Sequence, residues 1–222
     1  TEFNSEYQFL DTDTEGLVIF SVAFSDSAGN DGVQVTSTTN SSWVVFDKTA
    51  PADFNTGSVI SIGGNQVADI WNSTNTGVNV SVPVAGNDST IINGKIQIWA
   101  KIALNPWEKI GDHFIIDSED SGADKVLAIS DSQVEAITGF ANEDTITFKT
   151  VIIDRAGNEK DGTPSINRLV IDEILPSITY VSYRSNFSDS TLATVGNEIT
   201  LTLKTDETAQ EPVVTISGQN TE

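Results

Sequence analysis

The sequence predicts an all-β chain of antiparallel sandwiches, on three observations. Thr, Ser, Asn, Val and Ile dominate its 222 residues, and helix formers are sparse outside a few short runs. Runs of alternating apolar residues recur between clusters of Gly, Asn and Asp, the pattern of half-buried strands joined by turns. One strand-and-turn unit also occurs twice. Residues 148–153 lead into Asp154-Arg155-Ala156-Gly157-Asn158, with Asp172 and Pro176 beyond; residues 18–24 lead into Asp26-Ser27-Ala28-Gly29-Asn30, with Asp47 and Pro51 beyond. The separation of about 125 residues marks a tandem repeat of domain size.

Residues 1–47 read as three strands, at 7–9, 17–25 and 43–46. In the second, Val18, Phe20, Val22 and Phe24 share a face. An acidic loop containing Asp11, Asp13 and Glu15 joins the first two, and the Asp26 to Asn30 turn joins the second and third. Gly and Asn tolerate positive φ, which suits them to that reversal. Three strands are too few for an independent sandwich. Residues 48–51 read as a linker, because proline lacks a donor and biases its predecessor toward extended geometry.

Residues 52–172 hold a complete domain. Strands are expected near 58–62, 78–84, 95–103, 109–116, 125–130, 145–153 and 168–171, with a helical turn at 132–137. Seven short strands in about 120 residues fit an antiparallel sandwich. Residues 173–176 form a second linker, and 177–222 carry strands at 178–183, 198–203 and 213–216. Counted through Pro51, the two end pieces together make about 97 residues, the size of one such domain. The chain therefore reads as one whole domain flanked by two complementary halves.

Thirty-two acidic against eleven basic residues give a net charge of −21, which opposes association with nucleic acid or an anionic membrane. The same charge is compatible with divalent cations or with solubility alone. Cysteine is absent, so no disulfide, thiolate metal site or cysteine nucleophile exists, and oxidising export costs nothing. No apolar run approaches the roughly 20 residues of a spanning helix. Methionine is absent as well, and the chain is expected to be a processed piece or a window of something longer.

Asp-x-Ala-Gly-Asn, Asp47-Lys48-Thr49-Ala50-Pro51, the run Leu192-Ala193-Thr194-Val195-Gly196-Asn197-Glu198-Ile199-Thr200-Leu201 and Thr205-Asp206-Glu207 together resemble tandem bacterial immunoglobulin-like repeats. Such repeats build the stalks of large secreted or surface adhesins and biofilm-associated proteins. The resemblance covers both end pieces well; the middle domain shares the strand, turn and linker pattern and diverges over 95–139. It implies an extracellular or cell-surface location and mechanical work, as a stalk or a filament shaft. It also implies that residues 1–47 are strands E, F and G of one domain and 177–222 are strands A, B and C of another. Each half would then be completed head to tail, by further copies of the chain or by adjacent repeats.

In that arrangement the domain junctions are candidate calcium sites, since calcium takes six to eight oxygen ligands and each junction gathers several segments. The first would combine Asp11, Asp13 and Glu15 with Asp47, Asp154 and Asn158. The second would combine Glu143, Asp144 and Asp172 with Asp206 or Glu207, with a turn equivalent to Asp26 and Asn30. The competing reading is that Asp26 and Asp154 cap tight turns. A second function is a carbohydrate- or protein-binding module: Trp99 shares a strand face with Lys95, Gln97 and Lys101, and Trp107 and Trp71 are further candidates to stack on a surface glycan. An exposed indole also commonly covers lysine stems. Catalysis lacks players, since His113 is the only histidine and neither a phosphate loop nor a nucleophile elbow occurs.

Overall fold

The computed structural model describes residues 2–216 and 219–220. It is mostly β, with 37% strand and 4% helix, and its sheets are largely antiparallel. The chain divides into two units, 1–172 and 173–222.

In the first unit, β1 (Gly16–Leu17) pairs with β2 (Val45–Phe46). β3 (Val59–Ile62), β5 (Gly77–Pro83) and β8 (Asp124–Ser130) form a three-stranded sheet in the order β3-β5-β8. A larger sheet has the order β4-β11-β9-β6-β7, from β4 (Ile70–Asn72), β6 (Lys95–Ile102), β7 (Glu108–Ile115), β9 (Thr145–Ile153) and β11 (Leu169–Asp172). β10 (Glu159–Asp161) extends it by pairing with β9. β4 runs parallel to β11.

Period-two alternation sets the inward faces. Val78, Val80 and Val82 of β5 are fully buried, as are Ile96, Ile98 and Ala100 of β6 and Ile146 and Phe148 of β9. These side chains from both sheets belong to one hydrophobic cluster, in which Trp71 and Phe148 are the largest members. Residues 51–57 strap onto it. Pro51 and Thr56 are buried, and the Thr56 hydroxyl accepts from the Thr150 amide at 2.9 Å. Helix α1 (Asp131–Glu135) follows β8 directly, its start closed by a reciprocal box in which the Ser130 amide donates to the Gln133 side chain at 2.9 Å.

In the first unit two strands escaped the sequence reading. β4 and β10 have three residues each, too short for alternation to register, and exist through their pairing with β11 and β9. Residues 1–47 depart further from expectation. Residues 7–9 form no strand, 17–25 shrink to β1 plus single bridges at Val22 and Ser25, and 43–46 shrink to β2. The reason is burial: Leu17, Phe20, Val22, Phe24, Val44 and Val45 are all exposed, so the apolar face that would fix a strand is largely uncovered, with only Val18 half-buried on it. Phe9 does stack on Phe46, with ring centroids 4.4 Å apart.

In the second unit β12 (Ile178–Ser185) pairs with β13 (Ile199–Thr205), and β14 (Thr215–Ile216) pairs with β15 (Gln219–Asn220). Here too Ile178, Tyr180, Val181 and Tyr183 are exposed. The range 177–222 includes four positions outside the described residues.

Candidate functional site

Both copies of the repeated turn close in the same way. At Asp154 one carboxylate oxygen accepts from the Gly157 and Asn158 amides at 2.7 and 2.8 Å, and the other from the Asn158 side chain at 2.8 Å. At Asp26 the corresponding oxygens accept from the Ala28 and Asn30 amides at 2.9 and 2.8 Å, and from the Asn30 side chain at 2.7 Å. In both, the Asp amide donates to the Asn carbonyl, and a glycine at positive φ completes the reversal. Aspartate is needed because one small anion satisfies three donors, and asparagine because it returns one of them. Asp154 and Asp26 therefore do the work of turn caps.

The Asn30 side chain first, and then the Asn30, Ala28 and Gly29 backbone amides, hold Asp26 below the usual aspartate range. A carboxylate lowered on folding contributes stability that is present above its unfolded value and lost as pH falls through the folded one. In an NMR titration the Ala28 and Asn30 amide resonances should therefore move with a midpoint below 3.8, the usual value. A midpoint at or above it would contradict the capping geometry.

The copy at 154–158 also meets the first linker. The Asn158 side chain donates to the Asp47 carbonyl at 3.3 Å, and the Arg155 amide donates to the Thr90 carbonyl at 3.0 Å. A hollow of about 350 Å³ is lined here by Trp43, Val45, Asp47, Thr90, Arg155 and Ala156. On the other side of the linker, the acidic loop closes on Lys48. Its ammonium donates to the Asp11 and Asp13 carbonyls, and its amide donates to the Glu15 carboxylate at 2.6 Å. The Thr49 hydroxyl adds a bond to Glu15 at 2.8 Å, and these donors hold Glu15 below its usual range, the Thr49 hydroxyl first. Asp13 accepts from the Tyr7 hydroxyl and the Leu10 amide.

Thus the linker touches both proposed partners, but the Asp13, Glu15 and Asp154 carboxylates each accept from different donors, and the Lys48 ammonium bonds to the Asp11 and Asp13 carbonyls. Among the described residues no three Asp, Glu or His side chains gather as a metal cage. The residues of the second set divide between the units. In the first, the Glu143 amide donates to the Ile171 carbonyl and the Asp144 carbonyl accepts from Ile171; Asp172 is exposed at the end of β11. In the second, Asp206 accepts from the Ser177 hydroxyl and amide, which lower it, and the Glu207 carbonyl accepts from Thr205. Of this set only Asp206 has its carboxylate engaged by hydrogen bonds; with no metal cage gathered among the described residues, EDTA is expected to leave the thermal midpoint unchanged. A fall would reveal a cation bound to the native state.

The tryptophans part company. Trp71 is fully buried in the core and offers no surface to a ligand, which corrects its place among the stacking candidates. Trp99 and Trp107 are partly exposed, and both carry ammonium groups on their rings. Lys109 and Lys149 lie 5.2 and 5.6 Å from the Trp99 ring, and Lys101 and Lys149 lie 5.1 and 5.3 Å from Trp107. Each such contact is worth about 0.5–1 kcal/mol at a wet site. Lys149 also pairs with Asp161 at 2.6 Å. His113 is exposed on β7.

Lys48, Lys109 and Lys149 were not singled out in the sequence. The signal for the last two was available only through register, since both stand directly opposite Trp99 on the neighbouring strands. Compared with known proteins, the chain matches no family model and no curated sequence at a significant level.

Proposed function

We propose that this chain is a stretch of tandem immunoglobulin-like sandwich domains from an extracellular structural protein, a stalk or shaft that carries load along its length. The observation that carries this reading is the duplicated turn. Two segments in one chain close Asp-x-Ala-Gly-Asn with matching bonds from the Asn amide and side chain to the Asp carboxylate. The copy at 154–158 also touches the linker that enters its domain, through Asp47. A turn that recurs once per domain and meets the linker is a joint element.

The topology of residues 52–172 supports the fold within this reading. The order β3-β5-β8 against β4-β11-β9-β6-β7 corresponds to strands A, B and E against C, F and G, with β7 beside C and the short β4 parallel to the last strand. The exposed apolar residues of 2–47 and 177–216 support the two halves, because such faces call for a covering sheet. Adjacent repeats or a second copy, head to tail, would supply it.

Hydrogen exchange of the full chain at increasing concentration tests this. Strands β3 to β11 should be protected throughout, while amides of 2–47 and 177–216 should exchange freely when dilute and gain protection as copies associate. A dilute, monomeric chain with both end pieces already protected would overturn the completion of halves.

A further inference from the structure

Acidic residues outnumber basic ones 32 to 11, so lysines in this chain should seldom lack a carboxylate. On the outer face of the larger sheet Lys149 pairs with Asp161, but three other lysines lack one. Among the described residues no carboxylate lies within ion-pair distance of Lys95, Lys101 or Lys109. Instead the ammonium groups of Lys101 and Lys109 are held over Trp107 and Trp99, which fixes their positions while leaving their charge uncancelled. With Lys149, these make four lysines on a face that also carries Glu159 and Asp161, so basic groups outnumber acidic ones here in a chain of net charge −21.

The backbone shapes this face. Ile96 pairs with Phe114 and Ile98 with Ile110, so Gly111, Asp112 and His113 stand opposite Gln97 alone, a β-bulge. Gly111 takes φ 63° there, and the Gln97 side-chain Nε2 donates to the Ile98 and Ile110 carbonyls at 3.0 Å. Bulges re-aim side chains, and this one brings His113 to the rim of a hollow of about 140 Å³. Lys95, Trp99, Lys109, Val151 and Glu159 also line it. One polar group at this place is unsatisfied: the Trp99 indole N–H is buried without an acceptor, which is unfavourable in the folded chain.

We propose that this hollow binds the carboxylate of a uronic-acid residue in an acidic polysaccharide. Lys95, Lys109 and His113 supply cationic or hydrogen-bonding groups around it, and Lys101 stands further along the face to meet a neighbouring uronate. A shift of the overlying side chains lets the Trp99 N–H donate to the incoming oxygen. The hollow suits one compact ring and is too small for a strand or helix of a protein partner. This site is independent of the stalk reading, which stands or falls on exchange protection in the end pieces.

The test is titration of the full chain with tetragalacturonic acid and with its methyl ester, followed by calorimetry and tryptophan emission. The acid should bind at least about tenfold tighter than the ester, the worth of one charge-assisted contact, and should weaken as salt rises. Lys95→Ala with Lys109→Ala should abolish binding while lowering the thermal midpoint only slightly, through loss of the one Lys109–Trp99 ring contact, since both side chains are exposed. Lys95→Arg with Lys109→Arg should retain it, and Trp99→Phe should weaken it. Equal binding of acid and ester, or no binding of either, overturns the proposal. So does salt-sensitive self-association in sedimentation that the double alanine variant loses while the acid fails to bind.

Discussion

Replacing Trp71 by alanine should destabilise residues 52–172 by about 3–5 kcal/mol, as measured by urea unfolding. Trp71 is fully buried and is among the largest side chains of the core. It sits in β4, whose three residues are held in the sheet by a parallel pairing that sets Trp71 beside Ile171. Removing the indole opens a cavity and withdraws the side chain that anchors the strand, so both the transfer and the cavity contributions apply. A domain of this size has about 5–15 kcal/mol to lose, so the variant should approach the unfolding threshold. Trp43→Ala is the control. Trp43 is 65% exposed, and its loss should change stability by less than about 0.5 kcal/mol. If the Trp43 variant unfolded the domain and the Trp71 variant did not, the division between buried and uncovered parts of the first unit would be wrong.

That contrast also explains what could be read in advance. Residues 145–153 and 95–102 alternate over enough positions, and meet enough apolar partners, for pattern and structure to agree at β9 and β6. Residues 17–25 alternate just as clearly, yet Phe20, Val22 and Phe24 lie exposed. Alternation states what a strand would bury; only the presence of a covering surface makes the strand regular. Trp71 illustrates the converse. Ile70-Trp71-Asn72 has no period to detect, and it is a strand because β11 lies beside it.

The candidate sites divide along the same line. The Asp-x-Ala-Gly-Asn turn was legible because its bonds are local, spanning at most four residues. The acidic residues of 11–15 were visible, but the partner that settles them, Lys48, lies more than thirty residues away in sequence. The side of β6 that carries Trp99 followed from alternation. The lysines that flank it did not, because register between strands is fixed by long-range pairing and, at Gln97, by a bulge.

Replacing Asp154 by alanine should cost about 2–4 kcal/mol, more than the same change at Asp26. The two carboxylates make similar bonds, so the difference arises from surroundings. Asp154 is 4% exposed, whereas Asp26 is exposed to solvent. Without Asp154, the Gly157 and Asn158 amides and the Asn158 side chain lose their acceptor where water cannot readily replace it; at Asp26 water takes over. Asp154→Asn should recover much of the loss, since its amide oxygen still accepts from the backbone while its bond to Asn158 is weakened. The effect should reach the linker, because Asn158 also donates to the Asp47 carbonyl. Amide exchange at residues 48–51 should therefore quicken in Asp154→Ala but not in Asp26→Ala. Equal stability losses at the two positions would show that the turn acts alone; an unequal loss with faster linker exchange would tie the turn at 154–158 to the joint.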